Sequence, residues 1–410
     1  MKRNIIILMA LVQFSFACER EKDTNDGPME PVQIELSDKE QEVVESTNEF
    51  GIDIFTRIAE DEPADKNIFI SPTSIALALA MTRNGARNET EEAMETGLHM
   101  SGLSSEDINS SFKTLIEGLT GADAKVILDI ANSIWYRQGY VIEEEFLEVN
   151  EEYYNAEITA LDFDSPEAPD IINDWVAENT NNKIPDIVDE INPDHLMFLI
   201  NAIYFNGTWT TEFNSENTRE SLFYLTGDNE VQVEMMNYQE PVGYFENELL
   251  QAAELDYGRG NFSMVVLLPR PDYTVDDILE QMTSEQWNNW MASFNDIEVD
   301  FYLPKFSFDY EKELNQILSL MGMEIAFDPD NADFSGIIND IDLYISKVKH
   351  KGFVEVDEEG TEAAAVTSVE ISFTSVPDQL IMNVNRPFIF AIREKTTNAI
   401  VFFGRLAVPE

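Results

Sequence analysis

One cysteine in 410 residues, Cys18, leaves packing as the only means of holding this chain together. A lone thiol closes no internal disulfide and is too little for a cysteine-rich zinc site. Stability must therefore come from buried apolar surface. With 44% hydrophobic residues the chain has ample material for one large core or two ordinary domains.

Helical and strand patterns interleave along the sequence, so the fold class is mixed. Phe50, Ile54, Phe55 and Ile58 share one face of a first helix, which "DEPADKN" (61–67) ends. A short strand follows in "IFISPTSIALALAM". Ser71 can cap the next helix, Pro72 suits its first position, and the apolar run Ile75–Met81 predicts that this helix is buried. Strands are predicted at 126–136, 198–209, 263–269 and 299–308, and helices at 168–180 and 313–322. Residues 387–406 read as a hairpin, two apolar strands around a polar turn at Glu394–Asn398.

The N-terminus reads as a targeting segment. Lys2 and Arg3 precede "NIIILMALVQF", an apolar run too short to span a bilayer comfortably. "SFAC" then places Ala17 before Cys18, which resembles the lipobox of bacterial lipoproteins, with Ser15 where Leu is usual. The expectation is a signal peptide over 1–17, a lipidated Cys18, a polar disordered tether over 18–38, and one folded domain over 39–410. The protein would then sit outside the cytoplasm, on the cell envelope or surface. An ordinary cleaved signal peptide, and secretion, is the alternative.

Charge and motifs exclude several functions. A formal net charge of −54 repels nucleic acid and anionic lipid and disfavours polyanions such as heparin. Membrane contact is therefore expected only through the lipid anchor. His99, His195 and His350 are too scattered to suggest a metal cluster. The sequence carries no G-x-S-x-G elbow, H-E-x-x-H or phosphate-binding loop. No enzyme, metal or cofactor is expected.

Residues 358–373, "EEGTEAAAVTSVEISF", disagree with themselves: the first half prefers helix and the second strand. At a period of two, Thr361, Ala363, Ala365, Thr367, Val369 and Ile371 share one face. Glu362, Ala364, Val366, Ser368, Glu370 and Ser372 share the other. The pattern suits a segment that is sometimes in a sheet and sometimes out of it. A solvated helix or linker is the bland alternative.

Several blocks, in order, resemble the serpin family over about residues 40–410. They are "NIFISPTSIALALAM" (67–81), "NDWVAENTNNKIPDIV" (173–188), "LINAIYFNGTW" (199–209), "LPKFSF" (303–308), "DFSGI" (333–337), "EEGTEAAAVT" (358–367) and "NRPFIFAIRE" (385–394). The resemblance implies an α+β fold, three β-sheets surrounded by about eight or nine helices, with an exposed reactive-centre loop over about 358–380. It implies a suicide substrate, in which a protease is trapped as its acyl-enzyme when the cleaved loop inserts into the main sheet, a known instance of strand addition.

By the same resemblance the hinge is Glu358, Glu359, Gly360, Thr361, Glu362, Ala363, Ala364, Ala365, Val366 and Thr367. Ser71, Ser74, Asn201 and His350 match a hydrogen-bonded shutter beneath the central strands, and Trp209 matches the breach where the loop enters. For Ser71 a plain N-cap role stays open, for His350 an incidental polar one, and for Trp209 simple packing. Counted from Glu358 at the length inhibitory members keep, the cleaved bond is Thr374–Ser375, which suits an elastase-like pocket. Cleavage after Phe373 would suit a chymotrypsin-like one. The implied partner is a serine protease, with a cysteine protease as a second candidate, and the implied state is a monomer. A non-inhibitory member acting as a carrier, or a surface hydrolase, are the other readings.

Overall fold

The computed structural model describes residues 31–227, 229–238, 240–361 and 380–409. Among them, nine α-helices surround three sheets. The predicted hairpin supplies the second and third strands of a seven-stranded antiparallel sheet, with Phe388–Glu394 against Ile400–Leu406 and every residue of both strands buried. A four-stranded sheet orders Ile381–Asn383, Asp300–Pro304, Glu230–Tyr238 and Arg219–Tyr224. The third and main sheet has six strands. Its order is Phe306–Glu313, Lys349–Val356, Gly360–Thr361, Met197–Thr208, Val126–Arg137 and Glu157–Leu161.

The helix Asp38–Asp61 buries Phe50, Ile54, Phe55 and Ile58, the predicted face. Ser37 and Glu40 form a capping box at its start. The chain is tied down ahead of residue 39: Val32 N donates to Asn261 Oδ1 at 2.8 Å and Asn261 Nδ2 donates back to Val32 O at 2.7 Å. The helix Pro72–Arg83 is buried on nearly every side, as its sequence requires.

Two stretches depart from expectation. Residues 299–308 form two strands, Asp300–Pro304 and Phe306–Glu313, in different sheets. Pro304 carries no N–H, and at Lys305 the chain passes from one sheet to the other. The predicted helix over 313–322 is α-helical only at Asn315–Leu318. Gly322 sits at φ 102°, which an α-helix cannot continue through.

The main sheet has a gap. Among the described residues Met197–Thr208 and Lys349–Val356 do not pair with each other. Gly360–Thr361 stands between them at one end, with Val356 opposite Thr361 and Thr208 opposite Gly360. Below this short strand the space holds about 770 Å³. Its walls are Leu196–Ile203 and Val348–Lys351, and its floor is Ser74, Ile75, Ala78 and Leu79 of the buried helix.

Candidate functional site: the head and floor of the split sheet

At the head of the gap a tight turn delivers residues 358–361 into the sheet. Asp357 Oδ1 accepts from Glu359 N at 2.9 Å and Gly360 N at 3.1 Å, and Asp357 N donates to Gly360 O at 3.0 Å. Burial pushes the Asp357 carboxyl up, against these hydrogen bonds, which favour its ionised form. Trp209 N donates to Glu359 O and Phe213 N to Glu358 O, each at 2.9 Å. The Trp209 indole Nε1 donates to Asp357 O at 2.9 Å, and its ring stacks on Tyr257 with centroids 4.3 Å apart. Trp209 therefore both packs and grips the backbone of the turn.

Glu358 is held by its side chain. Its carboxylate accepts from Thr218 Oγ1 at 2.7 Å and lies 3.0 Å from Lys305 Nζ. Burial raises its pKa, but the hydroxyl and the ammonium outweigh that, so it lies below the ordinary range.

Gly360 and Thr361, expected on the exposed loop, are in the sheet and buried. The physical reason is close backbone approach. A Cβ on Gly360 would lie 2.1 Å from Gly207 O, so only glycine fits here. Thr361 is 5% exposed, and its Oγ1 pairs with the buried Tyr257 hydroxyl at 2.7 Å. Burial keeps that phenol protonated, raising its pKa far above the ordinary value. Thr361, the first residue of one face of the alternating pattern, is thus seated in the sheet. Of the remaining expected residues, Cys18, Glu362, Ala363, Ala364, Ala365, Val366, Thr367, Phe373, Thr374 and Ser375 lie outside the described residues.

On the floor, Ser71, Ser74 and His350 come together. Ser71 N donates to His350 Nε2 at 3.1 Å, Ser71 Oγ donates to Val401 O at 2.7 Å, and Ser74 N donates to Ser71 Oγ at 3.1 Å. Ser71 is thus an N-cap and a cluster member at once. Burial pushes His350 down to about 4, so at neutral pH it is uncharged. With Nε2 accepting, its proton belongs on Nδ1. Asn201 is not joined to this group. Its Nδ2 donates to Asn132 Oδ1 at 2.7 Å, Asn132 Nδ2 donates to Tyr154 O at 2.7 Å, and Asn201 Oδ1 is buried without a partner among the described residues.

Among the described residues no histidine is hydrogen-bonded to a serine hydroxyl. His99 faces Glu49 and Asp53, and His195 packs edge-on against Phe198. What the arrangement offers is a space between two strands of one sheet with the short strand Gly360–Thr361 at its head. Sequence reasoning missed Tyr257, Asn132, Asp357, Thr218 and Lys305. Asp357 acts within its own turn, and the other four through contacts to residues between 22 and 140 positions away, which local sequence does not display.

Residues 45–409 match the family model described as Serpin (serine protease inhibitor). The chain is 38% identical to the leukocyte elastase inhibitor of Sus scrofa, over 88% of this chain and 97% of that protein. Its fold is similar to the thermophilic serpin tengpin in its native state, at 34% identity and TM-score 0.83, covering 92% of this chain and all of that one. It is also similar to human thyroxine-binding globulin, at 28% identity and TM-score 0.82, covering 90% and 99%.

Proposed function

The chain belongs to the serpin family and is not an enzyme, and from that premise we propose that it is an inhibitory member that traps an elastase-like or chymotrypsin-like serine protease. The observation that carries the reading is the seated strand Gly360–Thr361 with an unfilled gap continuing below it in the same line.

In this reading the protease's nucleophile attacks the Thr374 carbonyl. The Thr374–Ser375 bond breaks, the Ser375 amine leaves with a proton, and an ester joins Thr374 to the protease. The freed hinge then continues into the sheet where Thr361 has begun. A strand of about 12–15 residues carries the ester roughly 40–50 Å. Small Ala363, Ala364 and Ala365 lose little side-chain entropy on entry, which favours insertion over hydrolysis of the ester. The intact state is held by a kinetic barrier.

Incubation with a panel of serine proteases tests this. A covalent complex that survives denaturing gel electrophoresis is expected with an elastase-like enzyme, together with a released peptide that begins at Ser375. A peptide beginning at Thr374 moves the bond to Phe373 and the target to a chymotrypsin-like enzyme. If every protease merely cleaves the loop and stays active, the chain is not an inhibitor, and a carrier role takes precedence.

We further propose that the protein is a monomer anchored outside the cytoplasm through a lipidated Cys18. One acyl chain binds weakly, so stable anchoring needs more than one. Cys18→Ser is expected to move the protein from the membrane fraction to the soluble one. Unchanged partition of that variant would remove the anchor.

A further inference from the structure

The gap is roofed as well as floored. The chain that follows the helix Ala168–Asn179 crosses its front, with Ile184, Ile187, Val188 and Asp189 lining the space. One side of this strap is fixed by packing. Asn173 Oδ1 accepts from Ile187 N and Val188 N, each at 2.9 Å, and Asn173 Nδ2 donates to Val188 O at 2.8 Å. Ile184 and Val188 are buried with Trp135 and Ile200, side chains of the strands Val126–Arg137 and Met197–Thr208. The strap therefore rides on one bank of the gap.

Its hold on the other bank is ionic. Asp186 pairs with Lys351, and Asp189 pairs with Lys349 at 3.1 Å. Lys183 reaches Glu355 at 3.3 Å and lies 4.5 Å from the centre of the Phe353 ring. The strand's two lysine side chains are only 12% and 14% exposed, whereas Asp189 and Asp186 are 65% and 61% exposed. Glu311 lies 3.0 Å from Lys349 and 3.8 Å from Lys351. Lifting the strap thus leaves neither lysine without a carboxylate, and that bank survives opening intact. On this bank opening breaks the contact of Lys183 with the Phe353 ring and a set of charge pairs at the surface, the kind that dissolved salt screens most.

We propose that residues 180–191 form an ionic clasp across the gap, in which Asp186 and Asp189 hold the strap to Lys351 and Lys349 and added salt releases it, admitting a strand. The idea rests on the strand-insertion reading given above, but not on the capture of a protease. Strand entry should be slow in dilute buffer and faster in salt.

The test uses the full chain and a fluorescent synthetic peptide of residues 362–373, whose uptake is followed by anisotropy without protease. In about 20 mM salt the double variant D186N/D189N is expected to take up the peptide about tenfold faster than the unaltered protein. In about 1 M salt the two rates should converge, because the unaltered protein speeds up. Glu313→Gln, which removes the partner of Lys347 away from the strap, should change neither rate. Equal uptake in dilute buffer, or an unaltered protein indifferent to salt, overturns the clasp. Absence of uptake in every variant also overturns it, since the gap then admits no strand. A chain that traps no protease yet shows this salt dependence loses the inhibitory reading and keeps the clasp.

Discussion

In the proposed inhibitory role, Thr361→Arg should turn the chain from an inhibitor into a substrate. Thr361 is the first side chain of the hinge to enter the sheet, and it is already there, its hydroxyl against the buried Tyr257 phenol. An Arg at this place would bury a charge beside a neutral hydroxyl, which costs several kcal/mol. Even ~1.4 kcal/mol on the insertion barrier slows that step about tenfold. The acyl-enzyme would then be hydrolysed first, while cleavage at Thr374–Ser375 continues. Glu362→Arg is the matched comparison: by the alternation of the sequence, residue 362 belongs to the opposite face and should tolerate the charge. The measurement is the number of inhibitor molecules consumed per protease trapped, expected to rise at least tenfold for Thr361→Arg alone. Similar values for the two variants would contradict an alternating hinge.

The second large effect is a loss of stability in mild acid. Buried His350 takes up a proton only near pH 4, whereas in the unfolded chain it does so near 6.5. Between these values the unfolded state binds more protons, so stability is complete above about pH 6.5 and falls as the pH drops toward 4. The loss is on the order of 3 kcal/mol. Its structural expression is specific: a protonated imidazole cannot accept from Ser71 N, so the hydrogen bond under the central strands is broken. His350→Gln keeps a neutral acceptor and should flatten the profile in this window. Urea unfolding midpoints compared between the two proteins at each pH isolate the effect from the carboxylates. Parallel profiles would assign the acid sensitivity elsewhere.

What could be read from the sequence follows the range of the interactions involved. The faces of the helix Asp38–Asp61, the buried helix Pro72–Arg83 and the terminal hairpin depend on neighbours within a few residues, and periodicity displays them. The hinge rests on the resemblance of "EEGTEAAAVT" to the serpin family, since its alternation by itself also allows a solvated helix or linker. Residues 299–308 misled because one apolar alternation serves two sheets, and the transfer at Lys305 is set by partners at 235–238 and 349–356. The seating of Thr361 depends on a tyrosine 104 positions away, and the clasp on lysines some 160 positions from their aspartates. Pairings over such distances leave no mark in local composition. Asn201 fits its expected place on the sheet, yet its amide turns to Asn132, a choice of rotamer and partner that a residue name does not contain.

The front of the main sheet has a small core of its own. Trp135, Phe163, Ile172, Val176, Ile184, Val188, Ile200 and Ala202 form a cluster separate from the large one behind the sheet. Two apolar layers that do not merge need not melt together. The helix Ala168–Asn179 and the chain after it are therefore carried on a layer of their own, against the strands Val126–Arg137 and Met197–Thr208. In the proposed insertion, then, this thin layer can stay with the strap on its own bank while the strap's contacts across the gap part, and the large core behind the sheet is not called on to loosen.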